Sequence, residues 1–211
     1  MNDSSICHVN LAGGFRGGER QTFLLMEELA SRGHEQRLIA KANSALAAKA
    51  KLIESLEVIE SSLNGFDCRT YFKDAPLLHF HESRVFAAIW SFGIAAEKKH
   101  IITRRVERPP RSNFISNSIY SNANQTVTLS RAISKSIQKS FNLNLDPIVI
   151  PSAKTGFTTD QVEVQRIRSK IRGDFIVGHI GALDDSHKGQ LQIIELAQMT
   201  RETFPEICFL L

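Results

Sequence analysis

Apolar residues along this chain follow two alternating patterns: short runs of strand length, and longer stretches in which they recur three and four positions apart. Ile6 to Leu11 is the first run. Ala12 to Gly18 follows, carrying Gly13, Gly14, Gly17 and Gly18. Thr22, Leu25, Met26 and Leu29 then fall at i, i+3, i+4 and i+7, one face of an amphipathic helix that Gly33 can close. Gln36 to Ala40 is a second run. Strand, glycine loop, helix and strand make a βαβ unit, which calls for a right-handed crossover and a parallel sheet.

The alternation continues with an Ala-rich helix over Leu46 to Leu56, a short strand near Val58 and a buried strand from Leu77 to His81. Ser83 is placed to cap a helix whose buried face is Val85, Phe86, Ile89 and Phe92. His100 to Thr103 reads as a strand, followed by an arginine-rich segment and a helix near Asn117. The strand Thr126 to Leu129, a helix begun by Ser130 and the strand Ile148 to Ile150 come next, ending at Pro151. Such a series predicts a doubly wound α/β, Rossmann-like domain over residues 1–152. Pro, Ser, Gly and Thr then concentrate from Pro151 to Asp160, the composition of a hinge. Helix Gln161 to Ile171, strand Phe175 to His179, helix Gly189 to Thr200 and strand Ile207 to Leu211 begin a second βαβ unit. Residues 153–211 are therefore expected to be the hinge and an incomplete second Rossmann-like domain. Two strands with one crossover cannot bury both faces of a parallel sheet, so this part is expected to be weakly ordered or to lean on the first domain.

Composition changes this picture little. Of 211 residues, 42% are hydrophobic and 23% charged, the balance of a folded globular chain and far from that of disorder. The net charge of +4 is a mild bias toward anionic partners. It is concentrated in Arg104, Arg105, Arg108 and Arg111, broken by Glu107, so the segment is either a solvated basic loop or an anion site. It lacks interleaved aromatics, and no nucleic-acid partner is expected. Cys7, Cys68 and Cys208 have no short spacing, so neither a disulfide framework nor a metal pair is indicated and a reducing compartment fits. The polar start, Met1 to Ser5, leads straight into a strand, so no signal peptide is expected. The most apolar helical stretch, Val85 to Ala96, is too short to span a bilayer.

In an open α/β sheet, ligands sit beyond the carboxyl ends of the strands. The glycine loop, His81-Glu82, Arg104-Arg105 and Ser130 all fall at such ends. Glycines at a helix N-terminus offer bare N–H groups and a favourable dipole to a phosphate, and they also serve tight turns. The loop reads Gly-Gly-x-x-Gly-Gly, and Lys41 follows the second strand where a dinucleotide site has an acidic residue. Both features weigh against a nucleotide-dependent dehydrogenase or epimerase. His79 and His81 share one side of their strand, but with a lone carboxylate at Glu82 they lack the supporting partners of a metal site. His79 is expected to be a satisfied core histidine, and His81 to face the cleft.

The order of these segments resembles glycosyltransferase family four. Gly13-Gly14-Phe15-Arg16-Gly17-Gly18-Glu19, followed after the helix by Ser31-Arg32-Gly33-His34-Glu35, is similar to that family's GG-x-E loop and closing Gly-His pair. His79-Phe80-His81-Glu82 resembles its His-x-His-[Asp/Glu] strand end, and Thr103-Arg104-Arg105-Val106-Glu107-Arg108-Pro109 a segment of a bacterial branch. Thr128-Leu129-Ser130 and Val149-Ile150-Pro151-Ser152 are similar to its Val-Ser strand end and hinge. Gly178-His179-Ile180-Gly181-Ala182-Leu183, Lys188-Gly189-Gln190 and Phe204-Pro205 resemble the opening of its donor domain.

The resemblance implies a retaining glycosyltransferase of the two-domain GT-B type. Its acceptor-side domain would be entire, and only the opening of its sugar-nucleotide domain would be present. A nucleotide sugar is the implied donor, and no metal or other cofactor is implied, since retaining enzymes of this type generally need no bound metal; the leaving diphosphate itself would accept the proton of the incoming hydroxyl. Gly17, Gly18 and Lys188 are the implied diphosphate contacts, His81 and Arg105 the catalytic residues, and Gly14, Arg16, Glu82, Arg104 and Ser130 the acceptor side. Gly17, Arg105 and Lys188 are thereby expected to share one crevice. The chain departs from the family in having no arginine between His179 and Leu183, and in carrying Arg104 and Arg105 where many members have a histidine. An arginine there could clamp an anionic acceptor bidentately. The family's Glu-x7-Glu segment would lie past Leu211, and Glu195 and Glu202 stand on an earlier helix, so these residues alone are expected to be inactive. The implied acceptor is a cell-envelope glycan or glycolipid, as in lipopolysaccharide biosynthesis. The implied place is the cytoplasm, at the inner face of the membrane, with peripheral contact to anionic lipid. A non-catalytic accessory protein derived from such an enzyme is the alternative.

Overall fold

The computed structural model describes residues 5–62, 67–141, 145–153, 158–181 and 188–211. It divides into two compact units, Met1–Lys154 and Thr155–Leu211. The side chain of Cys68 and residues 182–187, including the Ala182-Leu183 end of the donor-domain motif, lie outside the described residues.

In the first unit, β1 (Ile6–Asn10), β2 (Gln36–Lys41), β3 (Leu56–Ser61), β4 (Leu77–Phe80), β5 (Lys99–Arg104), β6 (Gln125–Thr128) and β7 (Ile148–Val149) form one sheet. Its order is β3-β2-β1-β4-β5-β6-β7, and every pair is parallel. This is the predicted doubly wound α/β architecture. The chain reverses direction across the sheet between β1 and β4, where the crevice that receives ligands in such folds must open.

Both faces are covered, because alternate side chains feed two separate cores. Cys7 and Val9 of β1, Ile39 of β2 and Leu78 and Phe80 of β4 join one core with Phe86, Ile89, Ile119 and Tyr120. Leu38 and Ala40 point the other way, onto Met26 of α1 (Gly17–Ser31) and Leu46, Ala47 and Ala50 of α2 (Ala45–Ala50). The remaining helices are α3 (Asp67–Phe72), α4 (Phe86–Ser91), α5 (Ile94–Glu97), α6 (Phe114–Asn122) and α7 (Arg131–Phe141).

Local signals explain most boundaries. Gly33, at φ 79, closes α1 while the His34 amide bonds the Leu29 carbonyl at 3.0 Å. Asn113 caps α6 by accepting from the Ser116 amide at 2.8 Å. The helix expected to run to Leu56 stops at Ala50, since turn bonds from Leu52 and Ile53 tighten its end and Ser55 adopts φ 61. Leu56 is thereby released to open β3. Ser83 does not cap α4 with its side chain; its carbonyl accepts from the Phe86 amide, and α4 starts after Val85. The helical stretch expected over Val85 to Ala96 is divided into α4 and α5 by Gly93 at φ 70, and the short helix α3 has no counterpart among the expected elements.

The second unit contains α8 (Gln161–Arg168), β8 (Phe175–Gly178), α9 (Gln190–Thr200) and β9 (Ile207–Leu210), with β8 and β9 parallel. Asp160 caps α8 through bonds from the Val162 and Glu163 amides. No apolar side chain of this unit is buried among the described residues, and Phe175, Leu191, Met199 and Leu211 are exposed. A two-stranded sheet with one crossover leaves its faces open, as its strand count requires.

Candidate functional site

The carboxyl ends of β1, β4 and β5 frame a groove of about 230 Å³. Gly18, Glu19, His81, Glu82, Arg104, Arg105 and Tyr120 are among the residues that line it. A second depression of about 680 Å³ shares Arg104 and Tyr120 with it and is bordered by Arg84, Arg108 and Arg111. A larger one, about 780 Å³, lies at the amino ends of β1, β2 and β3, the wrong end of the sheet for a ligand in this fold.

None of the loop glycines sits at positive φ, so no left-handed turn requires them. A Cβ added to Gly17 or Gly18 would meet open space. Neither backbone strain nor packing therefore accounts for these two, and what they do provide is unobstructed approach to the first amides of α1. The loop is held at both ends. Asn10 bonds the Thr22 hydroxyl at 3.1 Å and accepts from the Ala12 amide at 3.1 Å, and Glu19 accepts from the Arg16 amide at 2.8 Å.

Glu82 braces the same loop from just past the end of β4. One of its oxygens accepts from the Leu11 amide and the other from the Arg84 amide, both at 3.2 Å. Burial raises its pKa, while those two bonds and Arg84 pull it back. Its carboxylate is already engaged by the protein backbone.

Beneath the groove a polar line replaces apolar packing on the α1 side of the sheet. His8 stands beside His79 in the β1–β4 register. His8 Nδ1 lies 3.0 Å from His81 Nε2, and His8 Nε2 lies 3.1 Å from the Gln36 carbonyl oxygen. Gln36 donates to the Met26 carbonyl at 3.0 Å. His79 Nε2 meets the Thr103 hydroxyl at 2.7 Å, in keeping with a core histidine. His81 Nδ1 receives both terminal nitrogens of Arg105 at 3.2 Å. Burial lowers the pKa of His8 to about 4 and holds His79 and His81 well below the ordinary histidine value, with Arg105 adding to the effect. Arg105 is itself lowered to about 10 by burial, opposed by the attraction of Glu19.

The ring nitrogens of His8, His79 and His81 lie within 4.8 Å of one another, the spacing of a possible metal centre. Their hydrogen bonds compete directly with that use. His8 Nδ1 and His81 Nε2 are turned toward each other, and the Arg105 guanidinium beside His81 repels a further positive charge there.

The structure thus brings Gly18, His81, Glu82, Arg104 and Arg105 to one groove. Gly14 and Arg16 lie on the exposed loop before α1, and Gly17 begins that helix. Ser130 is not among the lining residues, and its hydroxyl accepts from the Ile133 amide at 3.3 Å as the cap of α7. Lys188 is exposed in the second unit, with its side chain beside Gly181. His8, Gln36 and Tyr120 were missed by sequence reasoning. A histidine inside an otherwise apolar strand is the signal that could have flagged the first. Tyr120, buried on α6, is bonded by Arg104, and burial raises its pKa.

A parallel sheet with its switch point at β1 and β4, a glycine-led helix and a basic groove at the strand ends define a doubly wound α/β fold of the Rossmann-like class. Solved structures agree with that class. HepE of Anabaena, determined in complex with UDP-glucose, is similar at a TM-score of 0.75 and 15% identity, over 98% of this chain and 59% of that one. A glycosyltransferase of Rickettsia africae is similar at 0.67 and 15% identity, over 99% of this chain and 68% of that one. MurG of Acinetobacter baumannii is similar at 0.54 and 12% identity, over 98% and 66%. The fold is that of the GT-B glycosyltransferases, and the chain spans about 60% of the length of HepE. No family model and no curated protein sequence matches it.

Proposed function

We propose that this chain carries the acceptor-side domain and the opening of the donor-side domain of a retaining glycosyltransferase of the family-four type. It would move a sugar from a nucleotide sugar to an anionic cell-envelope glycan or glycolipid, in lipopolysaccharide or similar biosynthesis. The supporting observation is the pair of guanidinium groups at the switch point. Arg105 is hydrogen-bonded to a neutral imidazole instead of a carboxylate, and Nε of both Arg104 and Arg105 is buried with no acceptor among the described residues. Each unpaired buried donor costs about 1–3 kcal/mol. An anion entering the groove would supply an acceptor that these guanidinium groups lack.

In this reading the leaving diphosphate takes the acceptor's proton, and the protein positions the reactants and stabilises charge. The amides at Gly17 and Gly18 contact the diphosphate, and Arg104 and Arg105 the acceptor. His81, neutral and turned toward Arg105, holds that side chain. No resident metal takes part. The place of action is the inner face of the cytoplasmic membrane. Trp90 packs edge-on against Phe114 at 5.5 Å, both exposed, with Val106 exposed as well and Arg108 and Arg111 nearby along the chain. Aromatic rings beside arginines suit the interface of an anionic bilayer. No helix among the described residues is long and apolar enough to cross a membrane.

The test is titration of the protein with a short-chain phosphoglycolipid beside its dephosphorylated form. Wild type is expected to prefer the phosphorylated form. Arg105→Ala is expected to lose affinity roughly 10- to 150-fold, the equivalent of one charge-assisted hydrogen bond of about 1.5–3 kcal/mol. Equal binding of the two lipids, or an unaffected variant, refutes the reading. These 211 residues by themselves are expected to show no turnover and weak binding of UDP-glucose, and micromolar affinity by calorimetry would overturn that division of labour.

A further inference from the structure

Arg105, His81, His8, Gln36 and the Met26 carbonyl form an unbroken hydrogen-bonded line from the groove to the backbone of α1. Hydrogens are not needed to assign its direction, because both ends are chemically one-way. A carbonyl only accepts, so the Gln36 amide must turn its NH2 group to Met26 and its oxygen to His8. His8 must then carry its proton on Nε2, which leaves Nδ1 as an acceptor. That acceptor requires a proton on Nε2 of His81, leaving the His81 Nδ1 lone pair free. From the far end, a guanidinium only donates, so Nδ1 of His81 must be the acceptor. The two ends impose the same direction. Had they conflicted, one imidazole would have needed a second proton.

We infer that His8 and Gln36 are positioning residues. They hold His81 in its Nε2–H tautomer, so that its Nδ1 lone pair receives Arg105 and keeps the guanidinium in one orientation at the groove. The groups facing this line are His79 and Thr103 from β4 and β5, Met26 from α1, and Glu19, whose charge acts on Arg105. His79 stacks obliquely on His81, ring centroids 4.0 Å apart, and spends its own Nε2 on Thr103. It limits rotation of the His81 ring without joining the line. Burial disfavours a positive charge on each of the three rings, which keeps the line neutral and its direction single. The consequence for anion binding rests on the proposed role of Arg105, whereas the tautomer rests on the geometry alone.

Long-range ¹⁵N–¹H correlation spectra of the labelled protein test the assignment, each histidine being identified by substitution. Nδ1 of both His81 and His8 is expected at the position of an unprotonated nitrogen, and both Nε2 atoms at that of a protonated one. His8→Leu is expected to turn His81 into a mixture of tautomers. It should also weaken binding of the short-chain phosphoglycolipid roughly 2- to 10-fold, the equivalent of one neutral hydrogen bond. His8→Asn, whose amide oxygen can stand where Nδ1 stood, is expected to restore both. Gln36→Leu perturbs the line from its far end and decides the matter should His8→Leu fail to fold. An Nδ1–H or doubly protonated His81 at neutral pH overturns the inference, as does an unchanged tautomer in both leucine variants. So does one equivalent of Zn²⁺ that shifts all three histidines together. If the tautomer changes and phosphoglycolipid affinity does not, the positioning line stands and the anion-binding role of Arg105 falls.

Discussion

The burial of His8 makes stability depend on pH in a way that a single substitution isolates. Its pKa falls from the ordinary 6.5 to about 4 on folding, because an imidazolium there would lose its hydration beside Arg105. A histidine whose folded pKa is depressed binds its proton more readily unfolded, so stability is complete above pH 6.5 and is lost as pH falls toward 4. The full difference of 2.5 pKa units corresponds to about 3 kcal/mol, and the part lost between pH 7 and pH 5 to about 2 kcal/mol. Urea unfolding, followed through Trp90, the one tryptophan of the chain, reports on the unit that contains His8. Wild type is expected to lose about 2 kcal/mol more than His8→Asn over that interval, a further fall in midpoint of roughly 1 M urea at an ordinary m-value. Glu82, whose raised pKa acts with the opposite sign, is present in both proteins and cancels in the comparison. Equal losses in the two proteins would show that His8 is not held neutral by its surroundings.

Other consequences follow from the same structure. Burial pushes the Cys7 thiol up to about 12, so it is expected to resist alkylation at pH 8 until the protein unfolds, whereas half-buried Cys208 reacts in the native state; peptide mass mapping distinguishes them. Gly33→Ala places a Cβ in open space at φ 79, so its cost is conformational alone, about 1 kcal/mol, and Gly33→Asn is expected to cost less; calorimetric melting checks both. Trp90 fluorescence is expected to shift to the blue with phosphatidylglycerol vesicles and not with phosphatidylcholine, and Phe114→Ala with Arg108→Ala to abolish the shift. A shift with single-stranded DNA and none with either vesicle would sink the membrane reading.

The strands of the first unit were legible because a parallel sheet covered on both faces demands apolar runs of strand length, and β1, β2, β4 and β5 supply them. Helix α2 was read too long because its Ala and Leu spacing persists after Ala50, whereas Ser55 at φ 61 breaks the helix through a backbone conformation that periodicity does not record. Arg105 and His81 could be named in advance, since residues at the carboxyl ends of strands converge in this fold. Their mutual contact, and the engagement of Glu82 and Ser130 by backbone amides, could not.

The sequence by itself determined the order of elements, the parallel sheet and the end of that sheet where chemistry collects. Those follow from local spacing, two residues for a strand and near four for a helix, and from the handedness of crossovers. Only the tertiary structure decided which distant polar groups meet. Strand β1 pairs with β4, not with its sequence neighbour alone, and that choice sets His8 beside His79 and within reach of His81, 73 positions away. Such a partnership is made by the strand order of the whole sheet, and no local pattern can encode it.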